Sequence, residues 1–165
     1  MKKQYMVLLV ENNTGVLARV SSMFMQRGFN IDSLTVSSTD NPGISRITIA
    51  TTGDNRTFSQ IMKQTGKLIE TKMIFSVEPE FSLIRELLLI KFSTDDNNVD
   101  ELKKIIDEYG AHIIDISNGC FVAELTECPQ KIDAFLEAVA PFRLIEMCRS
   151  GATALEKGKV IYELD

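Results

Sequence analysis

The residues with the most to say about chemistry are Glu11-Asn12-Asn13-Thr14-Gly15-Val16-Leu17. They turn an apolar stretch directly into a helical one. Free backbone N–H groups and the positive end of a helix therefore converge beside a glycine that permits close approach. A corner of this kind can hold a carboxylate. It is not a phosphate loop, because the glycine-rich run and the following Lys-Ser/Thr are missing. An ordinary capped turn, with Asn13 or Thr14 as the N-cap, is the alternative reading of the same residues.

The other chemistry-bearing residues form no catalytic constellation. His112, the only histidine, has no sequence-identifiable nucleophile or metal-ligand partner and reads as structural. Asp95, Asp96, Asp100 and Glu101 resemble a carboxylate cluster, but they fall at an expected helix start, where the macrodipole favours negative charge. Cys148-Arg149-Ser150 offers a thiol and a hydroxyl without an identifiable base. Cys120, Cys128 and Cys148 are odd in number and lack a C-x-x-C pair, so neither a disulfide framework nor a zinc site is indicated.

The 165 residues are 44% hydrophobic and 25% charged, the composition of a globular protein. A net charge of -5 argues against a partner whose affinity depends on neutralising phosphates, which excludes nucleic acid. The acidity is concentrated in residues 81–165, with nine Lys or Arg against sixteen Asp or Glu. No apolar run approaches the roughly 20 residues of a membrane helix, and the start of the chain lacks a signal-peptide core. A cytoplasmic location is expected.

Met6 to Val10 reads as a central strand leading into the corner, and Val16, Leu17, Val20, Met23 and Phe24 as a helix closed by Gly28. Ile31 to Ser37 and Ser45 to Thr51 flank the turn cluster Asp40-Asn41-Pro42-Gly43 as a hairpin. Phe58, Ile61, Met62 and Thr65 make a second helix, followed by a strand ending at Val77. The order βαββαβ then recurs. Leu87 to Phe92, a helix from Val99 to Tyr109, a hairpin across Asn118-Gly119, a helix opening at Pro129 and a strand from Phe142 to Met147 complete it. The fold class is α+β, with two ferredoxin-like units in tandem: residues 1–78, a linker at 79–85, and residues 86–165. Each unit has one sheet face without helices, so at least a homodimer is expected, through edge strands or uncovered sheet faces.

Several blocks resemble a known family. Val7 to Asn12, Gly15 to Val20 and especially Gln26-Arg27-Gly28-Phe29-Asn30-Ile31-Asp32-Ser33-Leu34-Thr35-Val36 are similar to the small subunits of acetolactate synthase (acetohydroxyacid synthase). Arg85 to Lys91, Ile113-Ile114-Asp115, Lys131 to Leu136 and Arg149-Ser150-Gly151 continue the resemblance across essentially the whole chain. Cys148 stands where the family often has alanine, and residues 152–165 match only loosely.

The resemblance implies an N-terminal ACT domain that binds valine or a related branched-chain amino acid, and a C-terminal domain of similar fold. It implies a chain without a catalytic site, which activates a separate catalytic large subunit and imposes feedback inhibition on it. Thiamine diphosphate, FAD and magnesium would belong to that partner. The effector would sit between two copies, with Asn12, Asn13, Thr14, Gly15, Val16 and Leu17 from one and Asn30 and Ile31 from the other. Leu17 and Ile31 are wall candidates, core packing being the plainer role for each. Three rivals share parts of the pattern. An RNA-binding module needs stacking aromatics that Ser45 to Ala50 lack. A small phosphatase needs an anion-binding arginine beside a catalytic polar group. An ACT-type sensor of another amino acid fits the fold but not the Gln26–Val36 block.

Overall fold

The computed structural model describes residues 2–94 and 98–158. Asp95, Asp96 and the tail beyond residue 158 lie outside the described residues. The chain divides into two compact units, one reaching Leu83 and resuming at Gly151, the other running from Ile84 to Ser150.

In the first unit, β1 (Lys2–Glu11), α1 (Val16–Gln26), β2 (Ser33–Ser38), β3 (Ile44–Gly53), α2 (Asn55–Thr65) and β4 (Thr71–Val77) follow in order. The antiparallel sheet runs β2-β3-β1-β4. Its central strand is the unbroken apolar run, and Met6, Val7 and Leu8 are fully buried because both faces are covered. Met6 pairs with Ile49 and Leu8 with Ile47. Onto that face pack Val16, Val20 and Phe24 of α1 and Phe58 and Ile61 of α2. Each such fully buried side chain contributes about 1.5–3 kcal/mol. Asp54 caps α2 by accepting from Thr57 N at 2.9 Å and Thr57 Oγ1 at 2.8 Å. Those bonds hold its carboxyl below the usual carboxylate range.

The second unit repeats the plan with β5 (Ser82–Ser93), α3 (Val99–Tyr109), β6 (His112–Ser117), β7 (Cys120–Glu127), α4 (Pro129–Val139) and β8 (Leu144–Arg149), in the sheet order β6-β7-β5-β8. Leu88, Ile90 and Phe92 of β5 meet Leu102, Ile106, Ile132 and Phe135 of the helices. Asn118 and Gly119 carry φ of 50° and 74°, the two left-handed positions of a tight hairpin turn. Asp100 and Glu101 occupy the first turn of α3. Pro129 opens α4.

The stretch expected as a linker holds one turn, Pro79–Phe81, and β5 already begins at Ser82. Ser82, Ile84 and Glu86 are buried while Leu83, Arg85 and Leu87 are exposed, so the strand period extends through the supposed linker. The described residues beyond Ser150 group with the compact unit of β1–β4. A short strand, β9 (Thr153–Glu156), runs there over the helix-free side of β2 and β3. Tyr5, Val7, Thr48 and Ala50 on that side are buried.

Candidate functional site

The corner between β1 and α1 is built from backbone outward. Asn12 N donates to Gly43 O at 2.8 Å and its Nδ2 to Pro42 O at 3.1 Å, which anchors the corner to the β2–β3 turn. Asn13 N donates to Glu11 O, and Asn13 Nδ2 donates to Glu11 Oε2, both at 2.9 Å. Thr14 and Gly15 form the turn, and Gly15 is the residue that enters α1, with φ of 89° and no side-chain cap. The expectation of Asn13 or Thr14 as the N-cap is therefore corrected. The chain reverses so sharply after β1 that a left-handed residue must precede the helix, and glycine adopts that conformation at least cost.

Val16 N reaches Asn13 O at a long 3.4 Å, and Arg19 N reaches Gly15 O at 3.1 Å. Among the described residues, the amides of Leu17 and Ala18 find no carbonyl, so the helix start presents free donors as well as its positive dipole end. The neighbouring carboxylates are neutralised: Glu11 pairs with Lys72 at 2.5 Å, and Glu70, whose side chain is 9% exposed, pairs with Arg19. Neither cancels the helix end. Asn12, Asn13, Thr14 and Gly15 are exposed. Val16 is buried at 5% and serves the core, whereas Leu17 is 43% exposed and does not.

Asn30 and Ile31 follow α1 rather than precede it. Asn30 is exposed, its Nδ2 donates to Asp32 Oδ1 at 3.3 Å, and its carbonyl accepts from Thr51 Oγ1 at 2.8 Å. Ile31 packs partly against the core of the first unit. With Ser21, Phe24, Met25, Gly28 and Phe29 they line a shallow open hollow of about 410 Å³. Met25 was not singled out in the sequence, although an apolar residue off the Val16, Val20, Phe24 stripe was a legible signal; it is 73% exposed.

An eleven-residue helix separates the two groups, about 16 Å at 1.5 Å per residue. One chain thus brings together Asn12 to Leu17 at one end of α1 and Asn30 and Ile31 at the other, but does not bring the two ends to each other. The remaining candidates stay dispersed. His112 is exposed at the start of β6, opposite Glu124. Arg149 is not a partner for a Cys148 nucleophile; it donates to Glu86 and Asp133. Burial pulls its pKa down, but those two carboxylates outweigh it and raise the pKa. Cys120, Cys128 and Cys148 are free thiols. Among the described residues no group of three His, Cys, Asp or Glu could hold a metal ion, and no helix is long and apolar enough to cross a membrane.

Comparison with known proteins agrees with the geometry of both units. Residues 6–72 match the family model of the AHAS small subunit-like ACT domain, and residues 85–158 that of the small subunit of acetolactate synthase. The chain is 38% identical over 156 residues to a probable acetolactate synthase small subunit of Archaeoglobus fulgidus, covering 94% of this chain and 98% of that one. It is 35% identical over 160 residues to the acetolactate synthase isozyme 3 small subunit of Escherichia coli K12, covering 96% and 98%. The crystal structure of the acetolactate synthase small subunit from Thermotoga maritima superposes with a TM-score of 0.87 at 33% identity, covering 97% of this chain and all of that one. Two tandem ACT-type units, matched over nearly their whole length by such relatives, place the chain in the acetolactate synthase small subunit family.

Proposed function

We propose that this chain is an amino-acid sensor that activates the catalytic large subunit of acetolactate synthase and imposes feedback inhibition on it, in valine and isoleucine biosynthesis in the cytoplasm. The effector is valine or another branched-chain amino acid. The observation that carries the reading is the corner itself: free helix-end donors beside Gly15, with both nearby carboxylates neutralised. The α-carboxylate of the effector takes the amides at the start of α1, and charge-assisted bonds of this kind are roughly twice as strong as neutral ones. Asn12 Oδ1 and Asn30 provide carbonyl-type acceptors for the ammonium. Leu17 and the hollow around Phe29 and Ile31 give the branched side chain an apolar wall.

Because the two half-sites lie at opposite ends of α1, a second copy must complete each one. Effector occupancy is then coupled to the arrangement of the homodimer, and a coupling of about 1–3 kcal/mol suffices for useful control. The chain itself performs no catalysis, and the chemistry of thiamine diphosphate, FAD and magnesium belongs to the large subunit. Calorimetry with valine, leucine and isoleucine, beside sedimentation of the free protein, tests the reading. One of the three should bind a dimer; a monomer that binds none of them overturns it.

A further inference from the structure

The first turn of α1 holds a cation, Arg19, at the end of a helix where the macrodipole disfavours one, and it holds no acidic residue. α2 and α3 follow the ordinary preference: Asp54 caps the one, and Asp100 and Glu101 open the other. What Arg19 touches explains the reversal. Its Nη1 donates to Oε1 of Glu70, 51 residues further along the chain.

Glu70 is set into the corner by its backbone. Its carbonyl accepts from Glu11 N at 2.9 Å, and the next residue, Thr71, pairs with Val10 near the end of β1. The Glu70 side chain is buried, whereas the arginine that meets it is largely exposed. A carboxylate so withdrawn from water is costly unless a cation accompanies it, and its field is poorly screened. Glu11, the other acidic residue of the corner, differs. Its side chain and that of its partner Lys72 are both partly open to water, and it also accepts from Asn13 Nδ2. Water screens that pair, so the loss of its cation would be felt little.

Two charges of each sign therefore pair off around the start of α1, and what remains is the fraction of a positive charge, about half, that a helix end carries. Such a balance suits a ligand whose own charges cancel. A zwitterion brings its carboxylate to the free amides of Leu17 and Ala18 and keeps its ammonium clear of them. Were Arg19 neutral, Glu70 would add a full negative charge. That charge outweighs the helix end, repels a carboxylate and attracts a cation.

Resting on the effector site proposed above, we propose that Arg19 is a specificity-determining positioning residue. By pairing the buried carboxylate of Glu70 it keeps the start of α1 receptive to a ligand carboxylate, and so selects amino-acid zwitterions over cations of the same side chain. Arg19 acts through Glu70 and does not touch the ligand.

Calorimetry on the full chain tests this with two probes. One is whichever of valine, leucine and isoleucine binds wild type most tightly; the other is its primary amide, which keeps the ammonium and lacks the carboxylate. In Arg19→Gln the amino acid should bind about tenfold more weakly, while the amide weakens less or binds more tightly. The double variant Arg19→Gln/Glu70→Gln removes both charges and should return amino-acid affinity to within about threefold of wild type. Arg19→Lys keeps the cation and should give the same recovery. Lys72→Gln should stay within about twofold of wild type. A merely structural defect in Arg19→Gln would weaken both probes alike and persist in the double variant. That outcome, an Arg19→Gln chain that binds as wild type does, or an equal loss in Lys72→Gln, overturns the assignment while leaving the effector site standing. A wild type that binds none of the three amino acids overturns both.

Discussion

Gly15 carries the chemistry of the corner because of its backbone, and this makes Gly15→Asp a sharp probe. A non-glycine residue at φ of 89° stores about 1–3 kcal/mol of local strain. The added carboxylate also stands where the effector's carboxylate is expected. Inhibition by effector should be lost, with calorimetric affinity down by at least a hundredfold. Asn30→Trp should act on the other half-site and give the same loss, measured the same way. A variant of either kind that stays fully inhibitable would refute the site assignment. Asp54 offers a pH prediction of definite sign. Its folded pKa is depressed by the Thr57 bonds, so its stabilisation of α2 is complete above the ordinary carboxylate pKa. It is lost as pH falls through the depressed value. Asp54→Asn should flatten that part of the acid-unfolding curve followed by circular dichroism. At this scale the sequence was only half legible. The corner could be proposed from residue types, Asn30 and Ile31 entered only through the resemblance to a family, and the identity of the helix-entering residue could not be read. Asn13 and Thr14 are better caps by propensity, and the direction of chain reversal overrode that preference.

Among the elements, strands and helices announced themselves where apolar periodicity was strong. The run Met6 to Val10 and the stripes of α1 to α4 needed no tertiary information. Element ends were less visible, since β5 continues through Ser82 to Glu86 by an alternation that includes a buried glutamate. Glu86 reads as a surface residue until Arg149, distant in sequence, is seen beside it. Arg149→Met would leave that carboxylate buried and unpaired. Removing one partner of a buried pair costs about 3–5 kcal/mol, and the 24% exposure of Arg149 places the expected loss near the lower figure. Urea unfolding checks it. Leu88→Ala, at a fully buried position in the same strand, should cost about 2–5 kcal/mol, whereas Ile116→Ala, 70% exposed, should stay within about 0.5 kcal/mol.

For the molecule as a whole, the tandem βαββαβ plan was legible because the two copies keep a common register of helix-closing glycines and hairpins. The return of the chain to its first unit was not. Gly151-Ala152-Thr153-Ala154 is short, small and without a periodic stripe, and its partners Ser33, Thr35 and Arg46 lie more than 100 residues away. Truncation after Ser150 should therefore leave amide protection in β6, β7 and β8 intact while β2 and β3 lose protection, as hydrogen exchange would report. Truncation after Asp133 is a poorer experiment. It removes the buried Phe135 and Val139 together with β8, so any loss of regulation would report an unfolded second unit.

The bond between Thr35 and Ala152 closes a loop of 117 residues. Loop-closure entropy grows only logarithmically, so the equilibrium cost is modest, but contacts of such separation slow a folding reaction. On a ribosome, the earliest part of this protein to emerge can complete its sheet and helices and yet wait, with one side still bare, until nearly everything downstream has been synthesised. Exposure to chaperones and to premature self-association should accordingly be greatest late in translation, on the half that was made first.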